Sequence, residues 1–219
     1  GLHGQFKKIW ENEEFKYYFG FTVGFTIFIT AVVYLVTDNS LETAFRDSLF
    51  QLVSVITTTG FVSADYTSWA PLLTVLFFMF MFVGASAGST AGGVKVVRHI
   101  VLLKNSLLEL RRQIHPNAVL PVRLNKMAVG SDITFNIMAF MIIYFMIFAL
   151  GSTLMSALGY DFNTSVGAVA TSLGNIGPGL GKVGPMDNFA FISAPGKWIL
   201  SFLMILGRLE LFTVLILFT

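Results

Sequence analysis

The chain has 219 residues, of which 55% are hydrophobic and only 12% are charged, and its mean hydropathy is +0.75. Soluble domains carry about 25% charged residues, so this composition indicates a membrane protein. The chain has no cysteine, which excludes disulfides, thiolate catalysis and cysteine-based metal sites. Its net charge of +2 is small, and the distribution of charges along the chain is more informative.

The N-terminal segment, residues 1–18, is polar and lacks the apolar run of a cleavable signal peptide. We expect it to be cytoplasmic or interfacial, because Trp10 and Tyr17 are residue types that favour the membrane–water interface. Residues 19–36 then contain no charge over 18 positions, close to the roughly 20 residues that a spanning helix needs. This run is the first predicted span.

Residues 41–56 predict an amphipathic helix that is too short and too charged to span a membrane. It leads directly into Thr57-Thr58-Thr59-Gly60-Phe61, which we call the first strip. A half-length helix that ends in a glycine-containing strip is typical of a re-entrant segment. Irregular backbone is stable at membrane depth only where protein or a watery cavity covers it.

The next apolar run, residues 70–94, predicts a second span, but its second half is rich in glycine. Residues 84–93, called the Gly-rich loop below, contain four glycines, and each costs about 1 kcal/mol relative to alanine in a helix interior. We therefore predict that this span is interrupted at membrane depth. The alternative is a close helix-packing surface, since small residues let helices approach each other.

The connector, residues 95–132, is strongly basic, so the positive-inside rule places it in the cytoplasm. Over residues 95–126 it carries one acid, Glu109, against Lys95, Arg98, Lys104, Arg111, Arg112, Arg123 and Lys126. A topology signal and a docking surface for a soluble partner are equally compatible with this charge. Nucleic acid is not an expected partner of a segment held between two spans.

The second half of the chain repeats this order of segments. Residues 133–160 predict a third span, and residues 165–173 predict a second half-length helix. That helix leads into Gly174-Asn175-Ile176-Gly177-Pro178, the second strip. Residues 198–219 predict the last span, which is apolar except for Arg208 and Glu210.

A shift of 117 residues places Gly60 on Gly177, Phe45 on Phe162 and Ser48 on Ser165. The predicted fold class is therefore an all-α membrane protein with two parallel repeats, residues 19–94 and 133–219. Each repeat reads span, pore helix, filter strip and span, which is the unit of a potassium-channel pore. Backbone carbonyls in such a filter replace the hydration shell of the ion, so we interpret the strips as half of an ion filter.

Four motifs in this order resemble the TrkH/KtrB superfamily of potassium uptake proteins, and the resemblance covers essentially the whole chain. They are the first strip, the Gly-rich loop with the following Val94-Lys95, the second strip with Gly179, and Gly207-Arg208-Leu209-Glu210. The family has four such units in one polypeptide, and this chain resembles the third and fourth. We therefore expect either a fragment of a longer protein or a pore that other chains complete.

The resemblance also implies roles for individual residues. The potassium ligands are the backbone carbonyls of Thr58, Thr59, Asn175 and Ile176, supported by Thr57, Gly60, Phe61, Gly174, Gly177 and Pro178. The intramembrane gate comprises Gly84, Ser86, Gly88, Ser89, Thr90, Gly92, Gly93 and Arg208. The transported ion is potassium, and the expected location is the cytoplasmic (inner) membrane of a bacterium. The expected partners are the lipid bilayer, a second copy of the complete protein and a cytoplasmic nucleotide-binding ring.

Arg208 lies near the middle of its predicted span, where an arginine costs roughly 2.5 kcal/mol or more. Residues two apart on a helix do not face each other, so Glu210 is not the expected partner. We predict that Arg208 faces the pore and is held by carbonyls of the Gly-rich loop or by hydroxyls of Ser86, Ser89 or Thr90.

No catalytic set of side chains is evident in the sequence, so we do not expect an enzyme. Two other functions remain open besides ion conduction. A broken-helix secondary transporter normally has inverted repeats and often a buried carboxylate at its midplane, whereas these repeats are parallel. A membrane scaffold that presents the connector to a cytoplasmic partner leaves both strips unexplained.

Overall fold

The computed structural model describes residues 10–115, 118 and 120–209. The first half contains α1 (Glu13–Val36), α2 (Leu41–Ile56), α3 (Tyr66–Trp69) and α4 (Pro71–Phe80). Helix α5 (Val96–Ile114) and a hairpin of β1 (Arg123–Leu124) with β2 (Met127–Ala128) follow. The second half contains α6 (Ser131–Ala157), α7 (Phe162–Gly174), a 3-10 turn (Gly181–Val183) and α8 (Ala194–Arg208).

Helices α1 and α6 are long and apolar enough to cross a membrane, as predicted for the first and third spans. Helix α1 starts six residues before residue 19, because the side chain of Asn12 caps it by accepting hydrogen bonds from the N–H groups of Glu14 and Phe15. Two acids in the first turn, Glu13 and Glu14, favour this start through the helix dipole.

The second predicted span is interrupted, as expected from its glycines: α4 ends at Phe80, and residues 81–94 are not helical. The chain folds back on itself through two hydrogen bonds, from Gly84 N–H to Val94 O (2.7 Å) and from Val96 N–H to Ala85 O (3.2 Å). A Cβ on Gly84 would lie 2.8 Å from the carbonyl oxygen of Gly92, so only glycine fits there.

The connector begins with a 19-residue helix, α5, which the sequence analysis did not predict. The buried positions of α5, Val96, Ile100 and Val101, have helical spacing. The Lys104 ammonium group binds the carboxylate of Glu13 and donates a 3.0 Å hydrogen bond to Arg123 O. The connector is therefore tied to the start of α1.

The two half-length helices precede the strips as predicted, with two corrections to the second. Helix α2 has the predicted bounds, whereas α7 begins at Phe162, three residues before its predicted start, and extends to Gly174, a residue of the predicted second strip. Packing explains the longer helix, because a Cβ on Gly174 would lie 2.9 Å from Met81 O. At its start, Asp161 accepts a 2.7 Å hydrogen bond from the Thr164 hydroxyl, which lowers the pKa of that carboxyl group.

The core consists of two hydrophobic clusters. The first combines α1, α2 and α4 with Ala170 and Ile176 from the second half, so the two halves share a core. The second combines α6, α7 and α8. Helix α8 begins four residues before Trp198, and the remainder of the predicted last span, residues 210–219, lies outside the described residues.

Candidate ion filter and gate

The first strip turns back onto the end of α2. Thr58 has φ +55° and donates to Val55 O (3.1 Å), while the next N–H, that of Thr59, donates to Ser54 O (2.9 Å). These two bonds, over three and five residues, form the Schellman arrangement that ends many helices. Gly60 follows with φ +76°, and its N–H also points to Ser54 O at 3.3 Å.

The second strip has the same backbone motif at the end of α7. Asn175 has φ +55° and donates to Ser172 O (3.1 Å), and Ile176 N–H donates to Thr171 O (3.0 Å). Gly177 follows with φ +118°, and its N–H donates to the Thr171 hydroxyl at 2.8 Å. Thr171 and Ser54 are 117 residues apart, which is the shift that aligns the two halves of the sequence.

The two strips touch each other. A Cβ on Gly60 would lie 2.0 Å from Ile176 O and 3.5 Å from the ring of Pro178, which is buried. A Cβ on Gly177 would lie 3.9 Å from the Gly60 Cα. The close approach of the two backbones therefore depends on glycine at residue 60.

The carbonyl oxygens of the strips differ in their hydrogen bonding. Within the described residues, no donor binds the carbonyls of Thr58, Thr59, Asn175 or Ile176. Side chains hold other parts of the first strip. The Ser54 hydroxyl donates to Phe61 O (2.6 Å), and the Thr57 hydroxyl contacts that of Thr59 (2.8 Å). The ring of Phe61 is exposed.

The Gly-rich loop packs against the start of the second strip. A Cβ on Gly92 would lie 2.6 Å from Gly174 O, and one on Gly93 would lie 3.6 Å from the Gly174 Cα. Gly207 of α8 approaches the same place, because a Cβ there would lie 1.9 Å from Leu173 O. The loop and the end of α8 thus meet beside the second strip.

Two charged side chains hold the backbone of the loop. The Lys95 ammonium group donates to Ser89 O (2.9 Å), to the Ser89 hydroxyl (3.3 Å) and to Ala91 O. From α1, the Glu14 carboxylate accepts a 2.7 Å hydrogen bond from Ala87 N–H. Gly88, between these two anchors, is exposed and has no atom within 4 Å of an added Cβ.

Arg208 lies beside the loop but does not make the bonds that we predicted for it. It lines a cavity of about 130 Å³ together with Ser89, Thr90, Gly93 and Lys95. Within the described residues, no hydrogen bond joins Arg208 to Ser86, Ser89 or Thr90, and Lys95 binds Ser89 and Ala91 instead. Ser86 is exposed and accepts a hydrogen bond from Ser89. Arg208 is the last residue of α8.

The side-chain contacts of three residues that shape this region were not predicted from the sequence. Lys95 was treated as one of the connector cations, although it directly follows the glycine-rich motif. Glu14 gave no local signal, because its partner is 73 residues away. The Asn175 side chain also anchors the second strip, since its amide donates to Met204 O of α8 at 3.0 Å.

Comparison with known proteins identifies the family of the chain. A family model described as "TrkH: Cation transport protein" matches residues 20–219. A Trk system potassium uptake protein TrkH from Salmonella typhimurium is 37% identical over 222 residues, covering 100% of this chain and 45% of the relative. TrkI from Halomonas elongata is 41% identical over 178 residues, covering 81% of this chain and 36% of the relative.

A solved structure, that of the potassium transporter TrkH from Vibrio parahaemolyticus, superposes with a TM-score of 0.91 at 34% identity. It covers 100% of this chain, which corresponds to 46% of that protein. The chain therefore spans about half the length of the relatives that it matches. These relatives are transport proteins and not enzymes, and the match over residues 20–219 shows that the chain belongs to the TrkH family within the TrkH/KtrB superfamily.

Proposed function

We propose that the chain forms half of a potassium-conducting pore in the cytoplasmic membrane of a bacterium. The observation that carries this proposal is the pair of strips, which share one backbone motif and touch each other. In the described part of the chain, the carbonyls of Thr58, Thr59, Asn175 and Ile176 have no protein donor. We propose potassium as the transported ion because the relatives are named as potassium uptake proteins.

The ligands in this proposal are the carbonyl oxygens of Thr58, Thr59, Asn175 and Ile176. In an extended chain, successive carbonyls point to opposite sides. A positive φ at Thr58 and Gly60, and at Asn175 and Gly177, alternates with a φ that is not positive at the residue between them. In this proposal, the alternation turns neighbouring carbonyls toward one side. A cation that loses its water there gains oxygen ligands in return.

The two strips belong to two parallel repeats in this proposal, residues 19–94 and 133–219. The order α1, α2, first strip and α4 matches the order α6, α7, second strip and α8. Each half-length helix ends at its strip in the same way. The remaining two quarters of the pore come from the rest of the protein, since the chain spans 45% of its relative. The complete protein acts as a dimer, and the connector contacts a cytoplasmic nucleotide-binding ring.

The gate in this proposal is the Gly-rich loop together with Arg208. The loop contacts the start of the second strip, and Arg208 and Lys95 line the cavity beside it. Fixed positive charges next to a conduction path repel a permeating cation, and the low dielectric of the membrane screens that repulsion poorly.

A secondary transporter with broken helices often has a buried carboxylate at its midplane. In the described part of the chain, the buried polar residues are threonine, serine and glutamine, and no Asp or Glu is among them. This observation favours conduction through carbonyls over carboxylate-based solute binding.

The test is ion uptake into liposomes that contain the purified full-length protein. We expect a potassium gradient to drive uptake and an equal concentration of sodium to compete poorly. Uptake of a solute other than a monovalent cation, or equal transport of sodium and potassium, would overturn the proposal.

A further inference from the structure

A buried tyrosine joins the two halves of the chain next to the strips. Tyr66 is 0% exposed, and its hydroxyl donates a 2.7 Å hydrogen bond to Gly179 O, 113 residues away. Tyr66 is the first residue of α3, a few residues after the first strip, and Gly179 directly follows the second strip at Pro178. The bond therefore links the exits of the two strips.

The phenol is fixed on the side of the first strip. Its ring stacks on Phe77 of α4, with the centroids 4.4 Å apart and the planes at 13°. Asp65 caps α3 by accepting a 2.9 Å hydrogen bond from Thr67 N–H. The Gln51 side chain of α2 donates to Ala64 O at 2.6 Å. The position of the hydroxyl is thus set relative to α2 and α4, the two helices that flank the first strip.

The acceptor is fixed on the side of the second strip. Gly179 N–H donates to Val183 O at 2.7 Å. A Cβ on Gly179 would lie 2.9 Å from Gly167 O of α7, so its backbone lies directly against that helix. The Tyr66 bond therefore joins two segments that are each packed within their own half of the chain.

We propose that Tyr66 is a positioning residue for ion selectivity, holding the exit of the second strip at a set distance from the first. This inference rests on the proposed filter. Gly60 and Ile176 O bring the strips together at one point, and the phenol connects them at a second. Filter selectivity depends either on cavity size or on the number and strength of the coordinating carbonyl dipoles, and both require strips that keep their spacing.

If the Tyr66 hydroxyl only stabilised the fold, its loss would not change ion selectivity specifically. Tyr144 provides a control that separates this structural role from the proposed positioning role. Tyr144 of α6 is 1% exposed, and in the described part of the chain its hydroxyl has no hydrogen-bond partner. The change from tyrosine to phenylalanine removes the same buried oxygen at both positions. It breaks the bond that links the exits of the two strips only at residue 66.

The experiment measures the ratio of potassium to sodium uptake by the full-length protein in liposomes, for wild type, Tyr66→Phe and Tyr144→Phe. We expect Tyr66→Phe to lower the ratio at least about fivefold, because the buried Gly179 carbonyl loses its donor. We expect Tyr144→Phe to keep the wild-type ratio. An unchanged ratio in folded Tyr66→Phe, or an equal loss in both variants, overturns the inference.

Two further substitutions keep the test informative if Tyr66→Phe does not fold. Tyr66→para-fluorophenylalanine fills the volume of the hydroxyl without donating a hydrogen bond, and Tyr66→para-aminophenylalanine retains a donor. We expect the amino variant to keep the wild-type ratio and the fluoro variant to lose it; equal ratios overturn the inference. A wild-type protein that does not discriminate between the ions contradicts the proposed filter itself, so the two failures are distinguishable.

Discussion

The strips and the Gly-rich loop are both glycine-containing breaks between helices, but their backbones are fixed in different ways. In each strip, consecutive N–H groups donate to the end of the preceding helix. In the loop, Lys95 binds the carbonyls and Glu14 from α1 binds Ala87 N–H. A segment that is anchored to its own helix keeps its shape when its neighbours move. A segment that is held by charged side chains is released when those side chains move away.

The largest expected effect comes from breaking a strip at Gly60. In Gly60→Ser, the new Cβ would lie 2.0 Å from Ile176 O, and a φ of +76° costs a non-glycine residue about 1–2 kcal/mol. We expect the ratio of potassium to sodium uptake to fall about tenfold, measured by competitive uptake in cells that depend on the full-length protein for potassium.

Gly130→Ser is the matched control for this change. Gly130 caps α6 with φ −60° and has no atom within 4 Å of an added Cβ. Serine is also a favoured residue at a helix N-cap. Normal selectivity in Gly60→Ser, with expression equal to that of Gly130→Ser, would contradict the assignment of the first strip.

The second prediction concerns the loop. Lys95→Met removes the donor to Ser89 and Ala91 and also one positive charge beside the cavity. We expect potassium flux to rise severalfold with little change in selectivity, because the strips keep their own anchors. Lys197→Met is the control, since that lysine donates a 3.1 Å bond to Ala190 O in an exposed segment away from the loop.

Arg208→Ala tests whether the arginine and the loop belong to one gate. We expect it to raise flux as well, by removing a fixed charge from the same cavity. If both residues act on one gate, the two changes are not independent. The potassium flux of the double variant, Arg208→Ala with Lys95→Met, should then be little higher than that of the single variant with the larger flux. A fall in flux in folded Arg208→Ala would place the arginine in the conducting path instead.

A smaller effect is expected at the equivalent positions Ser54 and Thr171, which anchor the two strips. Thr171→Val removes the acceptor for Gly177 N–H, and we expect it to lower the free energy of unfolding by about 1 kcal/mol. Ser54→Ala should lower the free energy of unfolding by less. It removes the donor to the carbonyl of Phe61, an exposed residue whose carbonyl can bind water instead. Thermal unfolding in detergent measures both changes. Thr171→Ser keeps the hydroxyl and serves as the control; a loss equal to that of Thr171→Val contradicts this role.

The local parts of the fold could be predicted from the sequence. The bounds of α2, the break after α4 and the non-helical first strip follow from runs of apolar residues and from glycine content, which act over a few neighbouring residues. The end of α7 was wrong by one residue, because Gly174 remains helical where it packs against Met81 O.

The long-range parts could not be predicted in the same way. Helix α5 was missed, although its buried residues recur at helical spacing, because the basic charge of the connector dominated its interpretation. The bonds of Glu14 with Ala87 and of Tyr66 with Gly179 join residues 73 and 113 positions apart. No local pattern marks such partners, so the anchors of the loop and the link between the strips emerge only from the folded chain.

The smallest expected effect comes from Thr58, where the first strip differs from the second in its side chain but not in its backbone. Thr58 and Asn175 both have φ +55°, yet a β-branched residue is strained there, whereas asparagine tolerates it well. Thr58→Asn should therefore raise the free energy of unfolding by up to about 1 kcal/mol. It should leave the ratio of potassium to sodium uptake unchanged, because only the carbonyl of residue 58 is proposed to bind the ion. Thermal unfolding and competitive uptake measure the two quantities on one preparation. A changed ratio in this variant would show that the threonine side chain takes part in selection, and the two strips would then differ in function.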